Sequence, residues 1–198
     1  VQGARPGESV GRAAAREIGE TILREGADTV AAVIGEPIHG GGGVIYPTDD
    51  YWPSVREVCN RHNVLMIADE VITGFGRTGR WFAVEHDQVV PDLMSVAKGI
   101  TSGYIPLSAS IARGRLADVF SDTTTQENGH PNTYAAHPVA CAAALANLQI
   151  MEKDHLIENA EAMGARLLEG LRGAVGKNRL VGEVRGRGLM VCAELVAP

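Results

Sequence analysis

Three short apolar runs, each closed by a charge, set the pattern of this chain. Val64 to Ala68 and Leu93 to Ala97 are each long enough for one buried strand and too short for a typical helix. Asp69 follows the first run and Lys98 the second. Thr29 to Ile34 is a third, β-rich run, with Glu36 and then Pro37 just beyond it. Stretches of helical periodicity separate the runs. Glu8 to Glu25 places Ala14, Ile18, Thr21 and Ile22 on one face and ends at Gly26. Tyr51 to His62 carries Pro53 in its first turn and faces Val55, Val58 and Cys59 inward, with Asn63 as a left-handed C-cap. Such alternation predicts an α/β fold with a mostly parallel sheet and helices on both faces. The carboxyl ends of parallel strands form the ligand crevice, so Glu36, Asp69 and Lys98 should face one shared site.

The rest of the chain follows the same reading. Thr73 to Gly79 is a glycine-rich loop, Trp81 to His86 a short helix, Leu107 to Ala112 a returning strand and Leu116 to Phe120 a short helix. Ser121 to Asn132 is polar and reads as a mobile loop. His137-Pro138 opens a long alanine-rich helix, and helical periodicity resumes over Leu156 to Val175. VGEVRGRGLMVCAELV reads as two short strands around RGRG. Gly186 and Gly188 imitate half a dinucleotide fingerprint, but the third glycine and the following helix are missing. Gly40 to Gly43 lack the Lys-Ser or Lys-Thr pair of a P-loop and read as a tight turn.

Composition narrows the function. With 18 basic and 24 acidic residues the net charge is −6, and no basic stripe exists to neutralise phosphates, which argues against a nucleic-acid partner. No apolar run approaches the length that crosses a bilayer, and the N-terminus shows no signal-peptide pattern, so no membrane partner is expected. Cys59, Cys141 and Cys192 are an odd, widely spaced set, which fits a reducing, cytoplasmic setting. The six histidines show no metal-ligand spacing, and no metal site is expected.

A buried lysine and a buried aspartate in one crevice suggest imine chemistry with pyridoxal 5'-phosphate. A desolvated lysine loses its proton readily and can form a Schiff base, while an aspartate can keep a pyridine nitrogen protonated. IADEVITGFGRTG, then PDLMSVAKG and TSGYIPLSA, together with GEPIHGGGG and HPNTYAAHPVACAAALANLQIM, resemble the class III (subgroup II, omega-type) aminotransferases of fold type I. The resemblance runs from roughly Glu17 to Leu195 and implies a division at 1–153, the C-terminal part of the large cofactor-binding domain, and 154–198, a linking helix and the start of a small domain. It implies that Lys98 forms the Schiff base and moves the substrate proton, that Asp69 holds the ring nitrogen, and that Val71 presses on the ring face. It also implies that Glu36 stands near the cofactor without being a catalyst, and that Thr133 reaches the cofactor phosphate of the neighbouring subunit in a homodimer with its site at the interface.

The implied reaction moves an amino group from an amine or omega-amino acid to a keto acid such as pyruvate. Ile72 stands where relatives acting on acetylornithine, ornithine or 4-aminobutyrate often have glutamine, which makes those substrates less expected, and His39 stands where many relatives have glutamine. Arg77 reads as a structural ion pair, with an acidic substrate or the partner subunit as alternatives, and Glu70 as an interface or hinge acid. The alternatives for the whole are a dialkylglycine-type decarboxylase, a glutamate-1-semialdehyde-type mutase and a catalytically incomplete fragment of the same fold. The family's Gly/Ser phosphate turn and stacking aromatic are missing in front, and the chain stops before the arginine that many relatives use for a substrate carboxylate. On that reading the chain is truncated.

Overall fold

The computed structural model describes residues 4–120 and 132–197. Its main sheet has the order β1-β2-β3-β4, built from β1 (Ala32–Gly35), β2 (Leu65–Asp69), β3 (Leu93–Val96) and β4 (Ala109–Ala112). β1, β2 and β3 are parallel, with Ile34 beside Ile67 and Asp69 beside Ser95, and β4 runs antiparallel to β3. The ends of the three parallel strands therefore share one edge, as the alternating pattern predicts.

Helices α1 (Val10–Glu25) and α2 (Tyr51–His62) pack together beside this sheet. The Ser9 side chain caps α1 by accepting from the Arg12 N–H. α1 buries small residues, Gly11, Ala13, Ala15 and Gly19, so that α2 approaches closely, and a Cβ on Gly19 would already touch Val58 at 3.4 Å. Ile22, Trp52, Val55, Cys59, Val64 and Met66 complete the core beneath. α2 ends as expected at Asn63, in the left-handed conformation with φ 55° and ψ 38°.

Several boundaries differ from the sequence reading. β1 begins at Ala32, because Ala27–Thr29 form a 3-10 turn in which the Thr29 hydroxyl donates to the Glu25 and Gly26 carbonyls at 2.8 Å each. The short helix after Trp81 is 3-10, Ala83–Asp87. The returning strand starts at Ala109, and all its residues are exposed. The helix expected at Leu116 begins earlier, as α3 (Gly114–Ala117) followed by a 3-10 turn. Most of the polar loop after Phe120 lies outside the described residues.

Helix α4 (Pro138–Lys153) starts with proline in its first turn, and α5 (Leu156–Val175) occupies the span that its periodicity marks. α5 packs on the antiparallel hairpin of β5 (Val181–Arg187) and β6 (Met190–Leu195). That hairpin reaches back to the main sheet's loops: the Tyr46 hydroxyl donates to the Met190 carbonyl at 2.6 Å and the Leu189 N–H to the Arg77 carbonyl at 3.0 Å.

Candidate active site

Each strand end delivers its charge through a different local device. At the end of β1, Gly35 leaves room for the Trp52 indole, since a Cβ there would stand 2.9 Å from its ring. The indole N–H donates to the Pro37 carbonyl at 3.1 Å. Glu36 is thus fixed between two packed residues. Its Oε2 accepts from the Gly40 N–H at 3.0 Å, and its Oε1 meets His39 Nδ1 at 2.7 Å. Partial burial pushes the Glu36 carboxyl upward, but the Gly40 N–H, His39 and the charge of Lys98 outweigh it and leave the pKa below its ordinary value.

At the end of β2, Asp69 is half-buried, and its Oδ1 accepts from the Val71 N–H at 3.0 Å. This local bond turns the chain and swings Val71 over the crevice. Oδ2 makes no hydrogen bond among the described residues. Glu70 is fully buried within the chain and so lies away from any surface contact; it accepts from the Thr73 hydroxyl at 2.5 Å and the Val84 N–H at 2.9 Å. Burial raises its pKa against those donors. It anchors the glycine-rich loop beneath Val71.

Lys98 follows β3 after a sharp break. Ala97 is extended and Lys98 turns into the left-handed region at φ 44°, opening a 3-10 turn. That conformation costs a non-glycine residue roughly 1–2 kcal/mol. Neighbours hold it there. Gly99 lets Phe75 lie against the turn, for a Cβ would sit 2.9 Å from the Phe75 Cβ. Asn147, from α4, donates to the Gly99 and Ile100 carbonyls at 2.9 and 3.1 Å and accepts from the Ser102 hydroxyl at 2.7 Å. Against the expectation of a buried lysine, the Lys98 side chain is exposed, because the left-handed turn lifts it out of the sheet edge, and it makes no hydrogen bond or ion pair among the described residues.

Lys98 and Val71 line one hollow of about 920 Å³, with Thr101, Ser110 and Tyr134 on other walls. Asp69 and Glu36 stand at the same strand-end edge without lining it. Thr133 is exposed on the rim, between Asn132 and Tyr134, which do line it. Arg77 is exposed and forms no ion pair among the described residues; just past this loop Arg80 makes one, 2.7 Å from Glu161 of α5. Asn147 is the residue that sequence reasoning overlooked as part of the site. A short amide side chain on an alanine-rich helix was the available signal.

Among the described residues no cluster of His, Cys, Asp and Glu could hold a metal ion, and no helix is long and apolar enough to cross a membrane. An amine transaminase from an uncultivated Pseudomonas species, solved in the PLP-bound form, superposes with a TM-score of 0.88 at 49% identity, over 93% of this chain and 42% of that one. The putrescine–pyruvate aminotransferase of Pseudomonas aeruginosa is 45% identical over 92% of this chain and 40% of its own length. The diaminobutyrate–2-oxoglutarate transaminase of Halomonas elongata is 46% identical over 91% of this chain and 39% of its own. The chain thus spans about two fifths of the length of these relatives. The family model for aminotransferase class III matches residues 5–198, and the chain belongs to that family.

Proposed function

We propose that this chain carries the lysine and aspartate of a pyridoxal-phosphate-dependent aminotransferase, which moves an amino group from an amine or omega-amino acid to a keto acid such as pyruvate. The observation that carries the reading is Lys98: an unpaired lysine in a left-handed turn at the end of a parallel strand, open to a hollow it shares with Val71. The chemistry of the donor set fits the cofactor. Lys98 has small neighbours, Ala97 and Gly99, that let a planar ring approach, and Asp69 keeps Oδ2 free to accept from a ring N–H.

Pyridoxal 5'-phosphate, when bound, supplies the electron sink for the pair left on the substrate carbon. The protein does the rest. Lys98 would hold the cofactor through its ε-amine, and the same amine, when free, would move the proton between the substrate carbon and the cofactor within each half of the cycle. Asp69 would accept from the ring nitrogen, Val71 would cover one ring face, and Glu36 stays an acceptor for Gly40 and His39 at the crevice edge. Thr133 reaches the cofactor phosphate of a neighbouring subunit in a homodimer. Exposed Tyr104 and Tyr134 near this rim support the pairing of two copies there. Three free cysteines support a reducing, cytoplasmic setting.

The relatives' names give pyruvate in one case and 2-oxoglutarate in the other. They name aminotransferases and transaminases, which tells against the decarboxylase alternative. The test is a donor screen on the longest native polypeptide that carries these residues, with either keto acid as acceptor. The expected result is transfer from a primary amine to pyruvate, without carbon dioxide release and absent in Lys98→Ala. Release of carbon dioxide in step with turnover would contradict the reading.

A further inference from the structure

The RGRG segment, which the sequence leaves as two strands and a turn, braces both loops of the crevice. Its second half is a close approach. A Cβ on Gly188 would meet the Thr78 backbone at 2.4 Å, and one on Gly164 of α5 would meet the Gly188 carbonyl at 2.0 Å, so the hairpin is wedged between the glycine-rich loop and α5. Its first half is Arg185. The guanidinium is only 15% exposed and is fully committed: Nη1 donates to Glu183 at 2.8 Å and to Glu194, Nε to the Val44 carbonyl at 3.0 Å, and Nη2 to the Gly43 carbonyl at 2.7 Å.

Those two carbonyls belong to the turn that carries His39. Reciprocal backbone bonds between His39 and Ile45, both 3.0 Å, close it, and the Val44 N–H donates to the Gly40 carbonyl at 3.2 Å inside it. Val44 sits there at φ 55°, a conformation that a β-branched residue adopts only when its surroundings force it. The His39 ring lies directly over Gly42, where a Cβ would stand 2.1 Å from its Cδ2. From that perch its Nδ1 reaches Glu36. Arg185 holds one end of this turn, and Glu36 receives the other.

We propose that Arg185 is a positioning residue: through the carbonyls of Gly43 and Val44 it fixes the turn that presents His39 and the Gly40 N–H to Glu36, and so sets where the Glu36 carboxylate stands relative to Lys98. The relevance to catalysis rests on the role of Lys98 proposed above. An arginine is required because the task needs a planar fork that donates in several directions at once, which a lysine cannot supply.

The test follows the turn from both ends, in the longest native polypeptide that carries these residues. Amide hydrogen exchange over 39–45 and a ¹³C titration of the Glu36 carboxyl are compared in the unsubstituted protein, Arg185→Lys, Arg185→Gln and Gly42→Ala. Both Arg185 variants should speed exchange at Val44 and Ile45 on the order of tenfold, with β2 and β3 unchanged. Both should move the Glu36 midpoint upward, as its donors loosen. Gly42→Ala, which displaces the His39 ring while Arg185 stays intact, should move Glu36 the same way. An unchanged turn and midpoint in Arg185→Lys would overturn the proposal, even if Arg185→Gln unfolds. So would a midpoint that moves in Arg185→Gln alone, because that is a direct charge effect. Neither readout needs cofactor, so this proposal and the Lys98 assignment fail separately.

Discussion

Asp92 enters β3 at one end of the sheet, and Asp69 leaves β2 at the other. Asp92 is 1% exposed, and both of its oxygens are taken: Oδ2 accepts from the Met66 N–H at 2.9 Å and Arg56 at 2.7 Å, while Oδ1 accepts from Arg115 at 2.5 Å with Arg113 at 3.8 Å. Its own N–H donates to the Met66 carbonyl of β2, and its carbonyl accepts from the Arg113 N–H just beyond β4. Burial alone would raise its pKa; the Met66 N–H, Arg56 and Arg115 outweigh burial and hold it at about 2. Asp69 has one backbone donor, and across the edge Lys98 has no polar partner among the described residues. The same residue type at a strand end is structural when its lone pairs are saturated and available for chemistry when they are not.

The largest expected effect lies at the unsaturated end. Lys98→Ala should abolish covalent cofactor attachment and turnover while moving the urea midpoint little, within about 0.5 kcal/mol, because the lost side chain is exposed and unpaired. Asp69→Asn should keep the cofactor bound but lower turnover on the order of 10²–10³-fold, since a neutral amide no longer favours a protonated ring nitrogen. Near-normal turnover in steady-state assays would break the comparison there.

The opposite end should respond in stability. Asp92→Asn leaves the half-buried Arg56 and the exposed Arg113 and Arg115 facing a neutral amide and should cost about 1.5–3 kcal/mol in urea unfolding. The same residue predicts a pH dependence. Its folded pKa lies below the ordinary carboxylate value of 3.8, so its contribution, about 2 kcal/mol, is present above that value and lost as pH falls through about 2. Unfolding free energies measured between pH 5 and pH 2 should drop in the unsubstituted protein and stay flatter in Asp92→Asn. The smallest effect belongs to Arg80→Ala, which removes an ion pair exposed on both sides and should shift stability by less than about 0.5 kcal/mol.

Much of this contrast was legible in sequence where the signal is local. An apolar run followed by a charge located Asp69 and Lys98, the periodicity of Leu156 to Val175 marked α5, and Asn63 announced its own cap. The failures have a common cause. Asp92 gave no sign of its role because its arginines stand 21, 23 and 36 residues away, and no local pattern encodes that convergence. The start of β1 slipped because one hydroxyl, that of Thr29, caps two carbonyls and competes with the strand. Arg80 rather than Arg77 found an acid because only the packing of α5 puts Glu161 within reach. Arg185 was unreadable for the same reason: the carbonyls it holds lie more than 140 residues earlier.

Borohydride reduction after incubation with pyridoxal 5'-phosphate, followed by peptide mapping, tests the central claim most directly. The sequence holds three lysines, Lys98, Lys153 and Lys177, so the map carries its own controls. The account predicts a phosphopyridoxyl adduct on Lys98, and none on the other two above the level of nonspecific labelling, in the longest native polypeptide that carries these residues. Labelling spread equally over the three lysines, or its absence from Lys98, would contradict it.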